Sequence, residues 1–146
     1  MEKSVNLKEK FMDEFGLVEQ DIRTYSPLTL AYIGDAIFEL VVRTVLVERK
    51  NTQAEKLHKA ATKIVKAETQ ALMIEALKED LTEEELAVFK GGRNVKAVTR
   101  AKNATMSEYR RATGFEALMG YLYLKGDMAR MIELIRLGVE KAEVTL

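Results

Sequence analysis

Cysteine is absent from the 146 residues, which excludes disulfides and thiolate metal sites and makes a reducing, intracellular location the simplest expectation. Histidine occurs once, at His58, so acid-base catalysis by a histidine pair is excluded, and a packed or surface role accounts for it. Proline also occurs once, at Pro27, and no stretch alternates apolar and polar residues between turn signals, so nothing in the chain asks for a strand. No apolar run free of charges is long enough to cross a bilayer, and the N-terminal MEKSVNLKEKFMDEFG is too charged for a signal peptide. A soluble, cytoplasmic protein without membrane contact is expected. Internal repeats, low-complexity tracts and linkers are missing too, which leaves one domain over residues 1–146, large enough to bury a sizeable core.

Charge of one sign is also lacking overall, since 23 lysines and arginines balance 23 aspartates and glutamates. The balance is not local. Between Lys90 and Arg111 the bases are Lys90, Arg93, Lys96, Arg100, Lys102, Arg110 and Arg111, against Glu108 as the only acid, while acids gather elsewhere, as in KEDLTEEE.

What is present is helix signal. A first helix is expected from about Asn6 to Phe15, ended by Gly16, and a long one from the N-cap Ser26, with Pro27 at its first position, through about Val47. Thr52 and Glu55 have capping-box spacing before an amphipathic helix that can continue through Leu77. Thr82 and Glu85 open a short helix that Gly91-Gly92 closes, followed by a polar, basic loop. Thr105 and Glu108 open the helix EYRRATGFEALMGYLYLK, which Gly126-Asp127 separates from a last helix ending near Glu140. An all-helical domain is the reading.

Two acids are out of keeping with their helices. In SPLTLAYIGDAIFELVVRTVLVE, apolar residues point in nearly every direction from Leu28 to Val47, which predicts burial on most sides and encloses Asp35. A buried carboxylate needs a partner or a function; an ion pair to Arg43 or Arg110, a helix cap, and a functional site are all compatible with the spacing. Glu116 repeats the anomaly among Phe115, Ala117, Leu118, Met119, Tyr121 and Leu122. If the two helices cross, the carboxylates repel unless they share a proton or a cation, and a hard divalent ion such as Mg²⁺ suits such oxygens.

AYIGDAIFEL together with GFEALMGYLYL resembles the two acidic motifs of the ribonuclease III catalytic domain, and the resemblance covers nearly the whole chain. KLHK at Lys56 to Lys59 and FKGGRN at Phe89 to Asn94 add to it. The chain ends where a full-length ribonuclease III would begin its double-stranded RNA-binding domain, which makes it most similar to the Mini-ribonuclease III branch. The pattern departs from full-length relatives at Ala31 and Thr113, where they carry a glutamate and an aspartate. Mini-ribonuclease III is similar in this reduced set.

The resemblance implies a helical, homodimeric endoribonuclease that uses Mg²⁺, with Mn²⁺ as a substitute, to hydrolyse double-stranded RNA to 5′-phosphate and 3′-hydroxyl ends. The expected substrate is the precursor of 23S ribosomal RNA, with a ribosomal protein on the RNA as a further partner. Asp35 and Glu116 are then the catalytic metal ligands. Arg93, Asn94, Lys96, Arg100, Lys102, Arg110 and Arg111 are candidate RNA contacts, suited to phosphates and 2′-hydroxyls. Glu39 is either an outer contact of the site or a salt-bridge partner of Arg43. Thr113 either bonds a water at the metal or its own helix backbone. Gly34 allows close helix approach, at the dimer axis or within the chain. Glu55 lies where full-length relatives carry an acid, but capping explains it, and the stripe Lys56, Lys59, Lys63 and Lys66 reads as a solvated face. Two rival readings are a non-catalytic RNA-binding or ribosome-assembly factor and a structural helical dimer whose acids form ion pairs.

Overall fold

The computed structural model describes residues 6–95 and 104–146. Among these residues all regular structure is helical: α1 (Leu7–Phe15), α2 (Pro27–Arg49), α3 (Ala54–Val65), α4 (Ala67–Leu77), α5 (Glu83–Arg93), α6 (Met106–Lys125) and α7 (Met128–Lys141), with 3-10 turns at Ile22–Thr24 and Lys78–Asp80. The helix ends follow local chemistry. Asn6 caps α1 and Gly16, at φ 60°, ends it. Ser26 accepts from the Thr29 N–H ahead of α2. Both expected capping boxes, Thr82 with Glu85 and Thr105 with Glu108, form reciprocally. Gly126, at φ 89°, ends α6, and Asp127 caps α7.

Three expectations are corrected. Thr52 and Glu55 do not form a capping box: Gln53 precedes α3 without a side-chain cap, and Glu55 instead faces Lys59 one turn on, at 3.8 Å. The helix does not run through to Leu77, because Lys66 is extended, with ψ 155°. The carbonyls freed at the break are served from the start of α4, where Thr69 Oγ1 donates to Lys63 O at 2.6 Å and Gln70 Nε2 to Val65 O at 2.7 Å. Gly91-Gly92 does not end α5 either. The helix runs on to Arg93, because Gly92 is a contact point: a Cβ there would stand 2.8 Å from Gly114 Cα and 2.9 Å from Ala117 Cβ of α6.

The core is built around α6, which packs against α2, α4, α5 and α7. Phe38 of α2 meets Phe115 of α6 edge to face, 5.1 Å between ring centroids, and Phe89, Met119 and Leu134 are fully buried around them. Helix α2 is less enclosed than its composition predicts. Leu30, Ala31, Gly34, Ile37, Phe38 and Val42 face the core, whereas Leu28, Leu40, Val47 and above all Tyr32, 83% exposed, face away. Asp35 lies on the open side of the helix and is exposed, so the expected enclosure fails within the single chain.

Candidate active site

Helices α2 and α6 touch backbone to backbone. A Cβ on Gly34 would lie 1.7 Å from the Glu116 carbonyl oxygen, and one on Gly120 would lie 1.9 Å from the Leu30 carbonyl oxygen. Of the two roles open to Gly34, the structure realises close approach within the chain. The crossing sets the Asp35 carboxylate, just after Gly34, against the Glu116 carboxyl, near enough to interact by charge and by a hydrogen bond.

Burial, and then the neighbouring Asp35, push the Glu116 carboxyl up to about 8, a shift only partly opposed by Gln70 Nε2, which donates to Glu116 Oε2 at 3.2 Å. Glu85 provides an internal comparison. It is more deeply buried than the half-buried Glu116, but Arg130 grips both its oxygens, at 2.8 and 2.9 Å, and holds its carboxyl below the ordinary value. Glu85 has the partner a structural carboxylate needs, while Glu116 faces another acid. The ion-pair reading of Asp35 loses Arg43, which bonds Glu39 Oε1 at 2.9 Å; the same contact satisfies Glu39 as a salt-bridge residue. Thr113 Oγ1 donates to Tyr109 O at 3.0 Å, the backbone bond expected of a helix-internal threonine.

Glu116 opens on a cleft of about 550 Å³ also lined by Val65, Lys66, Gln70, Tyr109 and Thr113. Among the described residues no cluster of three or more acidic, histidine or cysteine side chains could hold a metal. The donor set nevertheless fits a hard cation. Two neighbouring carboxyls, Glu116 with its pKa pushed up by burial and by Asp35, lie beside the Gln70 amide, whose buried Oε1 has no hydrogen-bond partner among the described residues. Sequence reasoning missed Gln70. Its signal was hidden because the apolar pattern runs across the helix break that brings it to Glu116.

Four of the predicted RNA contacts, Arg93, Asn94, Arg110 and Arg111, share a second cleft of about 730 Å³ with Lys78 and Glu75. Lys78 was not anticipated. Burial works against the Glu75 charge, but Lys78 at 3.0 Å and Arg111 at 3.5 Å outweigh it and keep the carboxyl below its ordinary value. Arg93 and Lys78 both lie over the Phe89 ring, at 5.5 and 5.7 Å, which aligns the cations along one wall. Lys96, Arg100 and Lys102 fall outside the described residues.

The family described as Ribonuclease III domain matches residues 28–127, a span that includes the α2–α6 crossing and both acids. The chain belongs to the ribonuclease III family. Within it the chain belongs to the Mini-ribonuclease III branch: it is 45% identical over 126 residues to Mini-ribonuclease 3 of Clostridium tetani, covering 86% of this chain and 83% of that one. It is also 45% identical to Mini-ribonuclease 3 of Enterococcus faecalis, over 86% and 97% of the two chains. A crystal structure of a Fusobacterium nucleatum protein superposes with a TM-score of 0.74 at 33% identity, over 83% of this chain and 97% of that one. The ribonuclease III membership makes this chain an endoribonuclease of ribonuclease III type. No helix among the described residues is long and apolar enough to cross a membrane.

Proposed function

We propose that the chain is a cytoplasmic, Mg²⁺-dependent endoribonuclease that cuts double-stranded RNA at the α2–α6 crossing, with the 23S ribosomal RNA precursor as its substrate. The observation that carries this reading is Glu116, a half-buried carboxyl beside Asp35 that forms no ion pair among the described residues. Asp35 and Glu116 would hold Mg²⁺, or Mn²⁺ in its place. When bound, the cation supplies activation of water and stabilisation of charge building on the phosphate.

The remaining work falls to the chain itself. Asp35 lies exposed on α2, where a duplex can reach it, while Glu116 is fixed from behind by Gln70. The wall of Lys78, Arg93, Arg110 and Arg111 offers charge to phosphates, with Asn94 suited to a 2′-hydroxyl, so the backbone is held while water attacks phosphorus. The bond from phosphorus to the 3′ oxygen breaks, leaving a 3′-hydroxyl and a 5′-phosphate. The apolar side of α2 left uncovered by the chain, Leu28, Tyr32, Leu40 and Val47, supports an isologous homodimer, which gives a duplex one site per strand. A ribosomal protein on the precursor is an additional partner in this reading.

The test is incubation of purified protein with a long RNA duplex in Mg²⁺ or EDTA, beside Asp35→Asn and Glu116→Gln. Cleavage is expected only with Mg²⁺ and only in the wild type, with duplex binding retained by both variants. Intact duplex and intact ribosomal precursor under every condition, despite a salt-sensitive gel shift, would replace the enzyme with a binding factor.

A further inference from the structure

Asp35 and Glu116 alone make a sparse donor set for a cation, and Thr113 has given its hydroxyl hydrogen to Tyr109. Gln70 stands beside Glu116. It is 2% exposed and polar, and it lines the Glu116 cleft. Its Nε2 has two hydrogens, and the structure gives each an acceptor: Val65 O at 2.7 Å and Glu116 Oε2 at 3.2 Å. The amide cannot be turned over, because that would set Oε1 against a carbonyl oxygen, which only accepts. Oε1 is therefore held in one orientation. It is the one buried side-chain polar atom without a hydrogen-bond partner among the described residues. A buried amide oxygen left in this state is costly, so the structure asks for a partner that donates to it or carries positive charge.

We propose that Gln70 is a third oxygen donor of the cation site: pinned by Val65 and Glu116, its amide offers Oε1 to the divalent cation that Asp35 and Glu116 hold. The inference rests on the cation site of the preceding section. It adds a neutral oxygen to two carboxylates, and hard divalent cations accept amide oxygens alongside carboxylates. The N–H to Val65 also serves the end of α3, so the residue has a purely structural rival role, that of a helix cap.

Three variants separate the two roles. Gln70→Leu and Gln70→Met lose both cap and oxygen, whereas Gln70→Glu loses the cap's donor but keeps an oxygen at the site. All three are expected to melt at a lower temperature in EDTA. In a Mn²⁺ titration followed by the electron paramagnetic resonance signal of the free ion, affinity is expected to fall about 10-fold or more in Gln70→Leu and Gln70→Met. Gln70→Glu is expected to bind Mn²⁺ as tightly as the wild type or more so. Cleavage by Gln70→Met is expected to drop at low Mg²⁺ and recover as Mg²⁺ is raised, with KM for the duplex unchanged. Wild-type Mn²⁺ affinity in all three variants would overturn the inference and leave Gln70 a helix cap, with the two-carboxylate site intact. A wild type that takes up no Mn²⁺ would overturn the site itself and Gln70 with it.

Discussion

Glu116 carries the proposed chemistry, and its environment makes a prediction independent of catalysis. Its folded carboxyl titrates at about 8 against an ordinary 4.5, so between those values the folded chain keeps a proton that the unfolded chain has released. In that window the unfolded state binds fewer protons, and stability falls as pH rises. The metal-free protein is therefore expected to lose melting temperature steadily from about pH 5 to pH 8, beyond the drift of Glu116→Gln, which stays neutral throughout. Saturating Mg²⁺ should flatten the slope; parallel curves for wild type and Glu116→Gln in EDTA would contradict the burial. That Glu116 was anomalous could be read from its apolar neighbours alone. Its pairing with Asp35 followed only from the family resemblance, and that Asp35 would be exposed and the amide of Gln70 would join them could not be read at all, because each comes from a different helix.

At the scale of elements, the α2–α6 crossing decides whether a site exists. Gly34 and Gly120 let the two backbones meet, and a side chain at either would meet carbonyl oxygen rather than a yielding side-chain tip. Gly34→Ala is accordingly expected to destabilise the fold by about 3 kcal/mol in denaturant unfolding, and to lose cleavage even below its melting temperature as Glu116 is displaced. Near-wild-type stability would mean that the helices can part without cost. The same logic explains the misreading of Gly91-Gly92. Glycine near a basic, polar stretch has the local signature of a helix stop, yet Gly92 serves contact with Gly114 and Ala117. The break at Lys66 was missed for the complementary reason: the side chains that make it tolerable, Thr69 and Gln70, look unremarkable in the linear pattern.

For the whole molecule, the exposed apolar side of α2 carries the proposed homodimer. Tyr32 stands out from the chain beside Leu28 and Leu40, an apolar surface that water leaves unsatisfied. The wild type is expected to sediment as a dimer and Tyr32→Glu to shift toward monomer, losing duplex cleavage while the Asp35–Glu116 pair within each chain stays in place. A wild type that sediments as a monomer would remove the dimer from the proposed function. The sequence by itself determined the helical class and most helix ends, since caps, proline at a first turn and left-handed glycines act within a few residues. It also marked both acids, because charge among apolar residues is a local anomaly. Only the tertiary structure decided which glycines are stops and which are contacts, that Asp35 is open while Glu116 is half-buried, and that Gln70 joins them. Those outcomes depend on which helices cross, and a crossing is set by packing between segments far apart in the chain, which local propensity does not encode.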